Sequence, residues 1–288
     1  MKGSLGAKSK RQSVTRRVKE CMTEVDDGQP PIGDGRAPRG ALRSWQDAVG
    51  VVFAVLVILA IGAGGGALAA RAFAIWAGAD QPGARPAGAL EALNAAQLSV
   101  FLVGFQITSI VLTLAVAPYF ARSPQTLLPL GWPRRALWII GASTIALFMI
   151  MLTFGTIVYV FDNQAFVGDV KPFADMAQTR LWWGLLIGAA VGAPIAEELL
   201  FRGLLFGVLR DTRIGFAGTL MVTAAFWAAL HLQYSFYGLA AIFCIGLYLG
   251  WLREKTGSLI PPIVCHALYN GSIVVALANF TGPGFGAG

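Results

Sequence analysis

The chain has 288 residues, of which 56% are hydrophobic and only 13% charged. Soluble domains carry about 25% charged residues, which excludes a soluble globular enzyme or binding module. A net charge of +7 would point to nucleic acid in a soluble protein. Here no nucleic-acid module accompanies it, and its placement along the chain has another meaning.

Residues 1–46 mix Lys, Arg, Asp, Gly and Pro, with the turn-rich run Gln29-Pro30-Pro31-Ile32-Gly33-Asp34-Gly35. Nothing there can bury a core, so a disordered basic cytoplasmic tail is expected. It is not read as a secretory signal, because the first apolar run begins only near residue 48 and is too long for one. Runs of about 18 or more apolar residues read as membrane spans, and about seven qualify: 48–70, 97–119, 136–161, 181–208, 214–232, 236–252 and 258–279. In hydrocarbon the backbone must bond within its own segment, so these are helices. The fold class expected is all-α: a polytopic transmembrane helical bundle of about seven spans, eight at most.

The first three spans carry no charge in their middles and read as packing helices, giving an N-terminal helical part over 47–180. Within it the outer segment 162–180, with Asp162, Asp169, Lys171 and Asp175, is long enough for an interfacial helix. The last spans occupy 181–280, and residues 281–288 form a Gly-rich flexible tail. Ten of the 22 Lys and Arg residues precede residue 47. With the N-terminus inside, Arg122, Arg134, Arg135, Arg210, Arg213, Arg253 and Lys255 also fall inside. Only Arg71, Arg85, Lys171 and Arg180 fall outside, as the positive-inside rule requires. The basic charge is therefore topological, and the lipid bilayer is the first partner. A multi-pass protein of the plasma (inner) membrane with a cytoplasmic N-terminus is expected. Cys21, Cys244 and Cys265 make no disulfide framework.

The fourth span contains Ala193-Pro194-Ile195-Ala196-Glu197-Glu198-Leu199-Leu200-Phe201-Arg202-Gly203. Each charge inside a membrane helix costs about 2.5–3.5 kcal/mol on insertion scales, so such residues face the bundle interior and serve a function. Glu198 and Arg202, spaced i, i+4, share a face and can pair. Glu197 is rotated by about 100° from its neighbour and can meet a different partner. Two environments for two carboxylates separate a general base from a fixed charge. A buried Glu–Arg pair that only fixes helix packing is the plainer reading, and the extra Glu197 weighs against it.

The two histidines of the chain, His231 and His266, both fall in membrane spans. His231 closes Phe226-Trp227-Ala228-Ala229-Leu230-His231, and His266 and Asn270 stand i, i+4 in Cys265-His266-Ala267-Leu268-Tyr269-Asn270. Charged residues are absent from 214–252 and from 256–288. Buried polar groups without partners are strongly unfavourable. Glu197, Glu198, Arg202, His231, His266 and Asn270 should therefore converge. One feature resists: counting from the loops sets Glu197 nearer the inner side and His231 nearer the outer side. A break at Gly192-Ala193-Pro194, or a dip of the 202–213 stretch into the bilayer, would reconcile them.

Glu-Glu-x-x-x-Arg, an aromatic four residues before His, and His-x-x-x-Asn, in this order, resemble the CAAX-processing and bacteriocin-self-immunity protease family. The likeness covers about 181–279 and includes Gly257-Ser258-Leu259-Ile260-Pro261-Pro262 ahead of the last motif. Trp227 stands where members usually have Phe. The resemblance implies a protease core over 181–280 and an intramembrane endopeptidase acting on a membrane-associated protein or peptide. In it Glu197 and His231 activate water, and His266 and Asn270 donate hydrogen bonds to the oxyanion. Glu198 and Arg202 hold the helix. No cofactor is certain. A divalent metal such as zinc, if present, would be held by Glu197, His231 and His266. A zincin His-Glu-x-x-His is absent, as are the Gly-x-Ser-Gly of rhomboids and the Gly-x-Gly-Asp of presenilin-like enzymes. Two other readings stand beside the protease: a proton- or ion-coupled transporter, in which the same groups form a relay, and a non-catalytic immunity or binding member of the family.

Overall fold

The computed structural model describes residues 44–77, 87–120, 124–178 and 182–279. The expected tails therefore lie outside the described residues, except for positions 44–46. Ser44 opens helix α1 (Trp45–Trp76) with a capping box: its hydroxyl accepts the Asp47 N–H at 3.2 Å, and the Asp47 carboxylate accepts the Ser44 N–H at 3.1 Å. Helix α2 (Ala87–Phe120) lies against it. Small residues set the distance between the two. A Cβ on Gly66 would run into the Phe101 carbonyl, and one on Gly104 would press on Ala69. Membrane helices pack closely where such residues let their backbones meet.

Helix α3 (Ala136–Phe161) is followed at once by α4 (Asn163–Ala177), whose N-terminus is capped by the Asp162 carboxylate accepting from Ala165 N–H at 3.1 Å. This is the helix expected in the outer segment 162–180. Helix α5 (Trp182–Arg210) carries the paired glutamates and is not a plain α-helix. Its turns widen to π geometry over Leu186–Gly192 and again over Glu198–Leu205, on either side of the short α segment Ala193–Glu197. Helices α6 (Gly215–Ala229), α7 (Phe236–Thr256) and α8 (Ile260–Asn279) complete the chain. Gly257, at φ 65°, ends α7 in the left-handed conformation that glycine adopts most easily, and its N–H bonds the Arg253 carbonyl. Among the described residues there is no strand.

Among the described residues six helices are long and apolar enough to cross a membrane, which makes this an integral multi-pass protein. They match six of the seven expected spans. The fifth, expected over 214–232, is corrected: α6 has only 15 residues, about 22 Å at 1.5 Å per residue, against a hydrocarbon core of about 30 Å. The expected mismatch in depth between Glu197 and His231 amounts to about one turn and is bridged by Trp227, which bonds both. Counted from the shared turn at 211–214, Glu197 on α5 and Trp227 on α6 both stand about 20 Å up their helices, with His231 about one turn further. No break at 192–194 is needed, since Gly192 keeps helical angles (φ −67°, ψ −49°).

The core gathers around α5. Phe201, Leu204, Leu205 and Val208 are wholly buried and cluster with Val51 and Val55 of α1, Leu147 of α3 and Leu249 of α7. Helix α5 is thus the central element, and its carboxylates face protein instead of lipid.

Candidate active site

Glu198 and Arg202 are both fully buried, at 0% exposure. The pair expected from their spacing forms: Arg202 Nη1 donates to Glu198 Oε1 at 3.0 Å. The same oxygen takes a second hydrogen bond from His266 Nδ1, also at 3.0 Å, reaching in from α8. Arg202 Nη2 donates to the Gly246 carbonyl of α7 at 3.3 Å. One buried ion network thereby joins α5, α7 and α8. Glu198 Oε2 and Arg202 Nε have no protein partner. Buried polar groups are rarely left so. A network like this is weak as a source of stability and strong as a device for placing its members.

Glu197 faces a different environment. It is half-buried, and Oε2 accepts the indole N–H of Trp227 at 2.7 Å. Trp227 is the hub of the site. The Arg202 guanidinium lies over its ring at 4.6 Å from the centroid, a cation–π contact. The His231 and His266 rings stand edge-on to it at 5.4 and 5.5 Å. Of the six side chains expected to converge, Glu197, Arg202, His231 and His266 meet at this one indole, and Glu198 joins them through Arg202 and His266.

Tautomers follow from partners. His231 Nδ1 lies 2.9 Å from the Trp227 carbonyl. A carbonyl only accepts, so Nδ1 carries the hydrogen and Nε2 offers a lone pair. His266 Nδ1 likewise donates to Glu198, which directs its Nε2 away from the ion network.

Asn270 is placed by a backbone defect. The Ala193 N–H bonds the Gly188 carbonyl, five residues back. In that register the next donor would be Pro194, which has no N–H, and the Ala189 carbonyl loses its partner. Asn270 Nδ2 fills the gap, donating to Ala189 at 2.9 Å. One of its amide hydrogens is therefore committed to the α5 backbone, and the other is not. A second side chain serves the same stretch. Gln106 of α2, 5% exposed, donates from Nε2 to the Gly188 carbonyl at 2.9 Å and packs on Gly192. Sequence reasoning counted the first three spans as packing helices and missed this contact. The signal was a glutamine within the apolar run 97–119.

Two further residues escaped the sequence reading. Tyr234 stands beside His231, with ring centroids 6.1 Å apart. Burial, then the carboxylates of Asp169 and Glu197, push its hydroxyl above the ordinary tyrosine range, so it stays a neutral donor. Asp169 of α4 accepts from the backbone N–H and the hydroxyl of Ser235, both at 2.6 Å.

Among the described residues no three His, Cys, Asp or Glu side chains form a group that could hold a metal ion. Glu197, His231 and His266 do not make the divalent site considered from sequence.

Residues 179–272 match the model of the family described as type II CAAX prenyl endopeptidase Rce1-like. Glu197, Glu198, Arg202, His231, His266 and Asn270 all fall inside that segment, and α1 to α4 fall outside it. Over 90 residues the chain is 27% identical to the UPF0177 protein YxdF of Lactococcus lactis subsp. lactis (strain IL1403), covering 30% of this chain and 48% of that protein. Over 79 residues it is 33% identical to an uncharacterized 24.3 kDa protein of Escherichia coli, covering 26% of this chain and 35% of the other. The chain thus spans less than half the length of the curated relatives it matches. No solved structure matches it. The family resemblance read from the three motifs is shown over this segment.

Proposed function

We propose that the protein is an intramembrane endopeptidase of the CAAX-protease type that hydrolyses a peptide bond in a membrane-associated protein or peptide. The observation that carries this reading is the unequal treatment of two adjacent carboxylates. Glu198 is locked by Arg202 and His266, whereas Glu197 holds one hydrogen bond, from Trp227, and remains half-open. A base must be reachable and a fixed charge need not be.

In this reading Glu197 takes the proton of a water placed between it and His231 Nε2, and the resulting hydroxide attacks the scissile carbonyl. His266 donates through Nδ1 to Glu198 and, as the imidazolium in which both ring nitrogens carry hydrogen, donates its Nε2–H to the developing oxyanion. The uncommitted amide hydrogen of Asn270 is the second donor. Preorganised donors of this kind are worth about 10²–10³ in rate each. Protonated Glu197 then gives its proton to the leaving amine. No covalent acyl intermediate is needed, and the set contains no nucleophilic Ser or Cys for one.

The distribution of Lys and Arg supports a cytoplasmic position for the turns at 134–135, 211–214 and 253–257, together with the N-terminus. His231 and α4 then lie toward the opposite leaflet of the plasma membrane. A substrate already anchored in the bilayer would reach such a site by lateral diffusion.

The test needs no prior guess at a substrate. Wild type and Glu197→Gln are expressed at matched levels, and peptide termini across the membrane proteome are compared by mass spectrometry. New termini confined to the wild type support the endopeptidase and name its substrate. Identical termini from two folded, abundant proteins overturn it in favour of an ion relay or a binding role.

A further inference from the structure

The short loop that follows α6 carries His231 at one end and Ser235 at the other. Its backbone turns on itself: the His231 N–H bonds the Ala228 carbonyl at 2.9 Å, and the Tyr234 N–H bonds the His231 carbonyl at 3.0 Å. His231 therefore sits on a small turn whose near end belongs to α6. What holds the far end is Asp169 of α4, a residue remote in sequence. Its Oδ1 accepts the Ser235 N–H and its Oδ2 the Ser235 hydroxyl, both at 2.6 Å. Ser235 in turn caps α7, its Oγ accepting the Gly238 N–H at 3.1 Å. The carboxylate thus lies at the start of a helix, where partial positive charge favours it.

Two more contacts mark the arrangement as built. Phe173 stands one turn after Asp169 on α4, and its ring stacks on Tyr234 at 6.1 Å. Asp169 and Phe173, i and i+4 on one face, grip the consecutive residues Ser235 and Tyr234. Gly238 makes room, because a Cβ there would collide with Asp169 Oδ2 and crowd Tyr234 Cβ. The position admits the carboxylate only because it lacks a side chain.

We propose that Asp169 is a positioning residue for His231: through Ser235 it clamps the turn 231–235 against α4 and fixes the imidazole at the site. The proposal rests on the endopeptidase reading for its effect on turnover, but not for the clamp itself. Displacement of a catalytic group by about 1 Å can cost about a hundredfold in rate. A turn secured by two charge-assisted hydrogen bonds is a means of preventing that.

The experiment uses the full chain in lipid nanodiscs and the substrate named by the terminus comparison. Asp169→Ala is expected to lower kcat about ten- to hundredfold with KM and melting temperature close to wild type. Asp169→Asn, which still accepts the Ser235 N–H, should restore most of that loss. Gly238→Ala should behave like Asp169→Ala, since its methyl group displaces the carboxylate. Hydrogen exchange at 231–235 should quicken in Asp169→Ala and Gly238→Ala and change little in Asp169→Asn. Wild-type kcat in Asp169→Ala, or a lowered kcat with unchanged exchange at 231–235, overturns the clamp. If Asp169→Ala does not fold, Gly238→Ala and Asp169→Asn provide the same contrast. If the wild type cleaves nothing, the endopeptidase reading fails on its own. The exchange data then decide the clamp: faster exchange at 231–235 supports it and unchanged exchange overturns it.

Discussion

Helices α1 and α2 join by shape, whereas α5 to α8 join by polar bonds. At the first interface Gly66 meets the Phe101 backbone and Gly104 meets Ala69. At the second, Arg202, Glu198, His266 and the Gly246 carbonyl tie three helices through one fully buried network. In lipid the tails are as apolar as Leu, so apolar burial alone does not select a partner helix. Close backbone approach is one solution and hydrogen bonding is the other. Only the second leaves reactive groups at the interface, and the site lies there.

The contrast can be broken from either side. The largest expected effect is on chemistry: Glu197→Gln removes the base with little change in volume and should lower turnover by about 10²–10⁴-fold, with membrane insertion and folded yield unchanged. Next is Glu198→Ala, which leaves Arg202 buried without its partner. Breaking a buried pair from one side costs about 3–5 kcal/mol, read as a lower melting temperature and folded yield. Gly66→Ala attacks the shape-based interface, where the obstructing atom is a backbone oxygen that cannot swing aside. About 1–3 kcal/mol of destabilisation is expected, and the folded fraction should keep its turnover. The smallest effect on stability concerns Asn270. Asn270→Ala should lower stability by about 1 kcal/mol through the lost Ala189 bond. Pro194→Ala supplies a backbone donor, so the double variant should melt above the sum of the singles. Strict additivity would show that Asn270 does not replace the missing proline N–H.

Much of this was legible in the sequence, and the reasons differ by residue. Hydrophobic run length located six of the spans because the bilayer imposes length directly. The i, i+4 rule paired Glu198 with Arg202, and the cost of isolated polar groups foretold the meeting of α5, α6 and α8. What escaped has a common cause. Trp227 reads as one more apolar residue until its indole N–H is seen on Glu197. The π-helical turns of α5 leave no compositional mark. Asp169 lies in a polar segment where a carboxylate costs nothing, so its reach to Ser235, across 66 positions of sequence, has no local signature. The length of α6 was overestimated because Leu230, His231 and Leu232 extend the apolar run past the helix end at Ala229.

The central claim is the division of labour between two neighbouring carboxylates. It is tested most directly by making the same isosteric change at each, Glu197→Gln and Glu198→Gln, and measuring turnover and melting temperature on the same purified samples. The account predicts that Glu197→Gln loses turnover at an unchanged melting temperature. Glu198→Gln should melt lower and keep measurable turnover in the fraction that folds. Normal turnover in Glu197→Gln, or the reverse pattern between the two variants, would contradict it.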